Sequence, residues 1–291
     1  MDYRKLLLAK ELIGYNADLI CLQEVDVKVF EGDLEPIFTN MKFDGYLTKK
    51  GGQVVEGMAC FYRSSRFSLL DSHRVTLGEE INDHQCFSQI LKKLDEYPTL
   101  KERVLQRTTT LQVSVLKVLD KPDHRLIVGN THLYFQPAAD HIRLLQASLC
   151  IAYINDVVDS VKKSDPKLKT CVILCGDFNS TPDCGVYKLM TEKSVPADYG
   201  DWKSQEGEHV EGLSVAQPFS LASACGTPEF TNYTVGFAGC LDYIFYQTDE
   251  LHVEQVIPLP SKEEVSLHSA IPSVVFPSDH IALVADLKWS H

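Results

Sequence analysis

Four apolar segments of the sequence each end in side chains that bind metals or transfer protons. They are LICLQE ending at Glu24, IVGNTH ending at His132, VILCGDFN with Asp177 and Asn179, and SDH with Asp279 and His280. A β-strand delivers its last side chains to one edge of a sheet, so strands that end in this way can gather carboxylate, amide and imidazole groups around one point. The pattern predicts a hydrolytic metal site.

Asp177 and Asn179 are two residues apart, so at the end of a strand both side chains leave on the same face. The carboxylate can hold a metal ion or orient a water molecule, while the amide donates a hydrogen bond to a developing phosphorane oxygen. The same residue types favour turns, and an ordinary turn is the structural alternative for this motif.

Glu24 and His132 each end an apolar segment and each allow two interpretations. Glu24 is a candidate Mg²⁺ ligand, because such sites take one or two carboxylates and complete their coordination with water and phosphate. Its alternative is an exposed glutamate at a strand end. His132 is either a donor to the scissile phosphate or a core histidine bonded to a carbonyl.

Asp279 and His280 precede an apolar segment, and Asp242 lies inside the apolar segment CLDYIFY. A carboxylate partner raises the basicity of a histidine, but adjacent side chains in a strand rarely bond each other. We therefore expect the partner of His280 to be Asp177. Asp242 needs a partner because an unpaired buried carboxylate is costly, and we expect His132. The alternatives are a polar cap at 278–280 and a pair that only fixes strand register.

The composition narrows the class of protein. The net charge of −12 argues against a protein that coats duplex nucleic acid. The nine cysteines, several within apolar runs, predict buried free thiols and a reducing, intracellular compartment. Apolar runs long enough to span a bilayer are missing, and we expect no membrane association and no obligate protein partner.

Apolar segments arrive in hairpin-like pairs with irregularly interspersed helices, which favours two stacked sheets covered by helices over a doubly wound parallel sheet. Residues 191–218 are polar and rich in turn formers, and predict a long surface loop. The motifs span the sequence without a linker between them. We therefore expect one catalytic domain over residues 1–291.

In combination and in this order, the motifs resemble the endonuclease/exonuclease/phosphatase family, and TNYTVGFAGCLDYIFY resembles its deadenylase branch of Ccr4-like and nocturnin-like enzymes. The residues that carry the resemblance are Glu24 in LQE, His132 in NTH, Asp177 and Asn179 in GDFN, Asp242 in LDYI, and Asp279 and His280 in SDH. The resemblance implies an α/β fold, a four-layer sandwich of two stacked mixed β-sheets flanked by helices.

The resemblance also implies a role for each motif and a reaction. Metal binding falls to Glu24, Asp177 and Asn179, with one or two Mg²⁺ ions that Mn²⁺ can replace. His132 and His280 would contact the scissile phosphate, Asp242 would support the histidines, and Asp279 completes its motif. The implied reaction is release of 5′-AMP from 2′,5′-oligoadenylate and from 3′,5′-poly(A) RNA.

Deadenylases clamp the terminal adenine between a proline and an aromatic ring, and Pro137 in HLYFQP and Phe237 in TVGFAG match these positions. Stacking on a flat base is a physical reason for such a pair. Ordinary loop packing is the alternative. Relatives include mitochondrial matrix and cytosolic enzymes, so the resemblance is compatible with either compartment.

Family members carry a strand before the first helix, with an active-site asparagine, and this sequence starts at that helix. We therefore expect the first strand to be missing and the activity of this chain to be weakened. Two other functions stay open. One is a different substrate on the same fold, such as abasic DNA, an inositol phosphate or a sphingolipid, and the other is a non-catalytic module that binds oligoadenylate.

Overall fold

The computed structural model describes residues 2–290, with strands and helices that alternate irregularly along the chain. The strands are β1 Leu19–Asp26, β2 Phe43–Lys49, β3 Glu56–Arg63, β4 Phe67–Thr76, β5 Thr110–Val118, β6 His124–His132, β7 Lys169–Asp177, β8 Ser194–Val195, β9 Val215–Ala216, β10 Leu221–Ser223, β11 Asn232–Tyr233, β12 Ala238–Gly239, β13 Asp242–Gln247, β14 Leu251–Val256 and β15 Ala285–Trp289. The helices are α1 Asp2–Tyr15, α2 Val27–Val29, α3 Glu35–Asn40, α4 Ser88–Leu94, α5 Pro98–Leu105, α6 Asp140–Ser164, α7 Gly185–Glu192 and α8 Lys262–Ser266.

Two sheets form the centre of the molecule. The larger has six strands in the order β10-β13-β7-β6-β5-β4 and is mixed, because β6 and β7 run parallel while their neighbours are antiparallel. The smaller has the order β1-β3-β2 and is entirely antiparallel. The predicted α/β class with two stacked sheets is confirmed.

The two sheets pack face to face because their strands alternate between inward and outward side chains. Along β7, Cys171, Ile173 and Cys175 join the cluster between the sheets, while Val172 and Leu174 face the helices on the other side. The same alternation places the next inward position of β7 at Asp177. The alternation of side chains along β7 thus determines that Asp177 points into the layer between the sheets.

Towards that end the inner layer changes from apolar to polar. The Asn130 amide donates to the carbonyls of Leu22 and Ala59 at 3.2 Å each, and to Gln112 Oε1 at 3.2 Å. The Asn130 amide oxygen accepts from Gln23 Nε2 at 2.7 Å. Because these bonds join strands of both sheets, they fix how one sheet lies on the other.

Helices cover both outer faces, which completes the four layers. The helix α6 packs its apolar side chains on the six-stranded sheet, and α3 packs Phe38 against Phe61 of the small sheet.

With 25 residues, α6 is long and apolar enough to cross a membrane by length and composition, contrary to the expectation that no such run exists. It is a core helix, since most of it is buried inside the protein.

The segment 191–218 is not the surface loop that its composition predicts. It pairs β8 with β9 and contains a 3₁₀ turn at Gly200–Lys203. Trp202 is fully buried there and its Nε1 donates to Pro196 O at 3.0 Å. Trp202 therefore anchors this segment in the core together with Val195, Val210, Leu213 and Val215.

Beside β1 lies a cavity of about 840 Å³. Its walls include β1, residues 281–284 and β15, and it reaches Asp177 and His280. Among the described residues β1 pairs only with β3, so the edge of β1 that faces this cavity carries no strand. The predicted first strand concerns residues outside the sequence and is not tested by these contacts.

Replacing Asn130 with leucine should destabilise the protein by about 2–4 kcal/mol, because the carbonyl and amide groups that Asn130 binds stay buried without partners. Urea denaturation measures this free energy. Asn155→Leu on α6 is the control, since that amide makes only one exposed bond of 3.4 Å to Asp159. Equal losses in the two variants would contradict a role for Asn130 in joining the sheets.

Candidate active site

Three of the predicted site residues form one row across neighbouring strands. In the register of the large sheet His132 on β6 pairs with Asp177 on β7, and Asp177 pairs with Asp242 on β13. The parallel strands β6 and β7 both end at this row, and the antiparallel β13 begins there. Strand pairing alone therefore brings together side chains that are up to 110 positions apart in sequence.

Glu24 reaches the row from the other sheet through an irregularity in β1. The pairing of β1 with β3 shifts between Leu22 and Val25, and Glu24 has φ 55°. A bulge of this kind redirects a side chain, and bulges are frequent beside active sites. The Glu24 carboxylate comes within 3.9 Å of His132 Nδ1.

His280 is paired with Asp242. Its Nδ1 lies 2.8 Å from Asp242 Oδ2 and its Nε2 lies 3.7 Å from Asp177 Oδ2. Burial disfavours the charged imidazolium, but the hydrogen bond and charge of Asp242, with the charges of Asp177 and Asp279, prevail and raise the pKa of His280 to about 9. The predicted pairing of Asp242 with His132 is wrong, and Asp177 is only the second partner of His280.

Asp177 and His132 have shifted pKa values for complementary reasons. Burial and then the charge of Asp242 raise the pKa of Asp177 to about 7. Burial and then the positive charges of Lys50 and His280 lower the pKa of His132 to about 3. At neutral pH His132 is thus neutral, and its Nε2 lies 3.4 Å from Asp177 Oδ2.

The site fits a divalent cation. Ligand atoms of Asp177, Asp242 and His280 all lie within 4.8 Å of one another, and the carboxylate of Glu24 adds a further negative charge close to Asp177. Carboxylate oxygens are the donors that Mg²⁺ prefers, and here one carboxylate is buried at Asp177 while the Glu24 side chain is 65% exposed. A cation beside Asp177 would oppose the repulsion from Asp242 and Glu24 that, after burial, raises the pKa of Asp177.

A second cluster joins Asp140, Cys184 and Asp201, also within 4.8 Å. Its carboxylates are already used, because Asp140 accepts from Arg143 at 2.5 Å and Asp201 accepts from the Gly185 N–H at 2.6 Å. One oxygen of each of these carboxylates, Asp140 Oδ1 and Asp201 Oδ2, is therefore already bonded within the protein.

Asn179 and Asp279 lie at the edge of the row. Asn179 has φ 48°, its backbone N–H donates to Asp177 Oδ1 at 2.8 Å and its side-chain amide donates to Leu133 O at 3.0 Å. Asp279 accepts from the Asn232 amide at 3.5 Å. Asn179 thus holds the Asp177 carboxylate in place, while Asp279 connects the His280 segment to β11.

The two predicted stacking residues occupy exposed loops on the two flanks of the row. Pro137 follows His132 on an exposed stretch, and Phe237, 45% exposed, lies in the hairpin between β11 and β12 that leads into Asp242. The hairpin is tied to the site, since Asn232 forms a bridge to His280.

Two positioning residues did not emerge from the sequence. Thr231 Oγ1 donates to Asp242 Oδ2 at 2.6 Å and accepts from the Leu241 N–H at 2.9 Å, so it orients the carboxylate that holds His280. Thr231 stands in an ordinary polar stretch, and only the fold reveals its role. Lys50 Nζ lies 3.2 Å from His132 Nδ1 and 2.7 Å from Glu56.

Arg143 is the third unpredicted residue. It is only 2% exposed, and its guanidinium donates to the carbonyls of Tyr134, Gln136 and Pro137 and to Asp140. The loop that carries Pro137 is thereby fixed to the first turn of α6. A charged residue within the apolar face of this helix is the signal in the sequence that could have identified it.

Replacing Asp242 with asparagine should lower the pKa of His280 from its value of about 9, because the hydrogen bond and charge of Asp242 are lost and only the charges of Asp177 and Asp279 still oppose the effect of burial. NMR titration of the metal-free protein measures it, with Asp249→Asn as an exposed control. In the parent protein the stabilisation from charged His280 is complete below pH 6.5 and is lost as the pH rises through about 9. A pKa of about 9 in D242N would contradict the pairing.

Replacing Arg143 with methionine should leave three carbonyls without donors and destabilise the protein by about 2–4 kcal/mol. Hydrogen exchange should accelerate in residues 133–140 more than elsewhere. Arg66→Met removes a 51% exposed guanidinium from a 3.7 Å ion pair with Asp18 and is the matched control. Unchanged exchange in residues 133–140 would show that Arg143 does not hold the loop.

Comparison with curated proteins gives relatives that match almost the whole chain. It is 48% identical over 289 residues to 2′,5′-phosphodiesterase 12 of Homo sapiens, covering 99% of this chain and 46% of that protein. It is 30% identical over 330 residues to the CCR4-Not complex 3′-5′-exoribonuclease subunit Ccr4 of Schizosaccharomyces pombe, covering 99% and 45%. The chain thus spans about half the length of these relatives.

Solved structures share the fold. ANGEL2, described as a 2′,3′-cyclic phosphatase, matches with a TM-score of 0.79 and 22% identity over 98% of this chain and 86% of that one. The human Nocturnin catalytic domain matches with a TM-score of 0.65 and 21% identity over 99% and 87%. The family model described as Endonuclease/Exonuclease/phosphatase family matches residues 1–280. The chain therefore belongs to the endonuclease/exonuclease/phosphatase family.

Proposed function

We propose that the protein is a Mg²⁺-dependent phosphodiesterase that removes 5′-AMP from the ends of 2′,5′-oligoadenylate and 3′,5′-poly(A). The observation that carries the proposal is the row of His132, Asp177 and Asp242 with His280 bonded to its last member. The row gathers a carboxylate, a cationic imidazole and a neutral imidazole around one point, and this set of groups supports a role in phosphodiester hydrolysis.

Asp177 is the proposed base. A carboxylate beside the scissile phosphate can take a proton from the attacking water. Asn179 fixes one oxygen of this carboxylate, so the other can orient the water for in-line attack on phosphorus. Glu24, Asp177 and Asn179 would hold Mg²⁺, which when bound supplies positive charge to the phosphorane and the leaving oxygen.

The two histidines have different proposed roles because their charges differ. His280, with a pKa of about 9, is an imidazolium at neutral pH and stabilises negative charge on the phosphorane. His132 is neutral, and the Lys50 ammonium can only donate to its Nδ1. The remaining proton of His132 therefore lies on Nε2, where it can donate to a phosphate oxygen in the row.

The relatives support the choice of substrate. Two of them are a 2′,5′-phosphodiesterase and a 3′-5′-exoribonuclease, which motivates both linkages as substrates of this chain. Pro137 and Phe237 would clamp the terminal adenine from the two flanks of the row.

We further propose that residues 1–291 form one catalytic domain that acts inside the cell, in the mitochondrial matrix or cytosol, without a membrane or an obligate protein partner.

A second candidate function is binding of oligoadenylate without cleavage. The cavity beside β1 favours it, because about 840 Å³ of space reaches Asp177 and His280 and is large enough to hold a nucleotide.

Incubation with 2′,5′- and 3′,5′-triadenylate should release 5′-AMP with Mg²⁺ and not with EDTA. Asp177→Asn should slow release by roughly 10²–10⁴-fold, the usual contribution of a general base. Asp95→Asn, an exposed carboxylate bonded to Lys101, is the control. Binding without release would support the second candidate, and cleavage of abasic DNA but of neither adenylate would reject the proposed substrate.

A further inference from the structure

A second cavity, of about 380 Å³, adjoins the row on the flank opposite the β11–β12 hairpin. The loop before β5 and the loop after β6 form it, and its walls include Glu24, Lys50, Arg107, His132, Tyr134 and Phe135. The volume lies within the range of pockets that bind small ligands. Because Glu24 and His132 belong to both, this cavity is continuous with the proposed catalytic site.

The order of strands in the large sheet indicates which part of the substrate lies next to the cavity. Across the sheet the positions run Asp242, Asp177 and His132, and β5 lies next to β6. Phe237 approaches from the β13 end, whereas the cavity lies at the β5 end. When 5′-AMP is released, the leaving atom is the 2′ or 3′ oxygen of the preceding nucleotide. We expect that nucleotide to extend from the clamped base past the loop after β6, which carries both Pro137 and Phe135, and to reach the cavity beside this loop.

The cavity carries two cations. Lys50 is held between Glu56 and His132, with a side chain only 14% exposed. Arg107 uses Nε to donate to Arg103 O at 2.9 Å and Nη1 to donate to the Tyr134 hydroxyl at 3.1 Å. A guanidinium has five N–H donors in a fork that matches phosphate, so Arg107 keeps donors for a ligand.

The cavity also carries an exposed aromatic face. Phe135 is 69% exposed, although large apolar side chains are normally buried. Its ring lies 5.4 Å from that of Tyr134, edge to face, and the Arg107 guanidinium lies 4.7 Å from the Tyr134 ring centre. Phe135 thus stands at the mouth of the cavity on a support of Tyr134 and Arg107, where a nucleobase can stack on it.

We propose that this cavity binds the nucleotide on the leaving-group side of the scissile bond, with its base stacked on Phe135 and its 5′-phosphate on Arg107 and Lys50. The ligand class is a nucleoside 5′-phosphate unit of any base, because stacking does not read base edges. The proposal rests on the proposed function, since it takes the row as the position of the scissile phosphate.

Base-specific fluorescence tests the subsite without turnover. The probes are the dinucleotide pApA with 2-aminopurine at either the terminal or the leaving-group position, bound in EDTA. The parent protein should quench both. Phe135→Ala should abolish quenching at the leaving-group position and retain it at the terminal position, while Leu70→Ala, a 51% exposed residue on β4, should retain both. Quenching of both probes by F135A, or of only the terminal probe by the parent protein, would overturn the proposal.

Hydrolysis separates failure of the subsite from failure of the function. The substrates are pApA and the 4-nitrophenyl ester of 5′-AMP, which lacks the leaving-group nucleotide, with Mg²⁺. F135A should lower the ratio of kcat/KM for pApA over the ester about tenfold, the scale of one base stacking on an aromatic ring. An unchanged ratio rejects the subsite and leaves the function standing. Cleavage of neither substrate by the parent protein rejects the function, and the quenching result then decides the subsite alone.

Discussion

The repulsion between two carboxylates on paired strands is the constraint on which this site depends. Asp177 is 6% exposed and lies opposite Asp242, with Glu24 approaching from the other sheet. His280 is the imidazolium that lies between the two aspartates and offsets part of the repulsion. Burial of Asp177 strengthens its interactions with these groups, because water screens a buried charge less. A divalent cation is the natural complement of the charge that remains.

Strand pairing and one bulge bring the side chains of the site together. Strand period and register bring His132, Asp177 and Asp242 into line, and the bulge in β1 turns Glu24 towards them. The polar contacts of Asn130 hold the two sheets in one relative position. The positions of His132, Asp177 and Asp242 therefore come from backbone pairing in strands, whereas His280 is held through its bond to Asp242.

The sequence was sufficient to predict the groups at the strand ends, because an apolar run followed by a polar side chain is a local pattern. It was not sufficient to assign partners. Asp242 pairs with His280 and not with His132, since His280 arrives through a non-strand segment whose path no local pattern predicts. Arg143 and Thr231 act through backbone carbonyls and hydrogen bonds that exist only in the folded chain. For the same reason the anchoring of residues 191–218 by Trp202 was not predicted.

The most direct test of the account is anomalous X-ray diffraction from crystals soaked in Mn²⁺, which reports where a divalent cation lies. The account predicts a peak within about 2.0–2.5 Å of carboxylate oxygens of both Glu24 and Asp177, the usual range for oxygen ligands of such ions. An ion bound only at Asp140 and Asp201, or none at millimolar Mn²⁺, would contradict the claim that a cation balances the charge of the row.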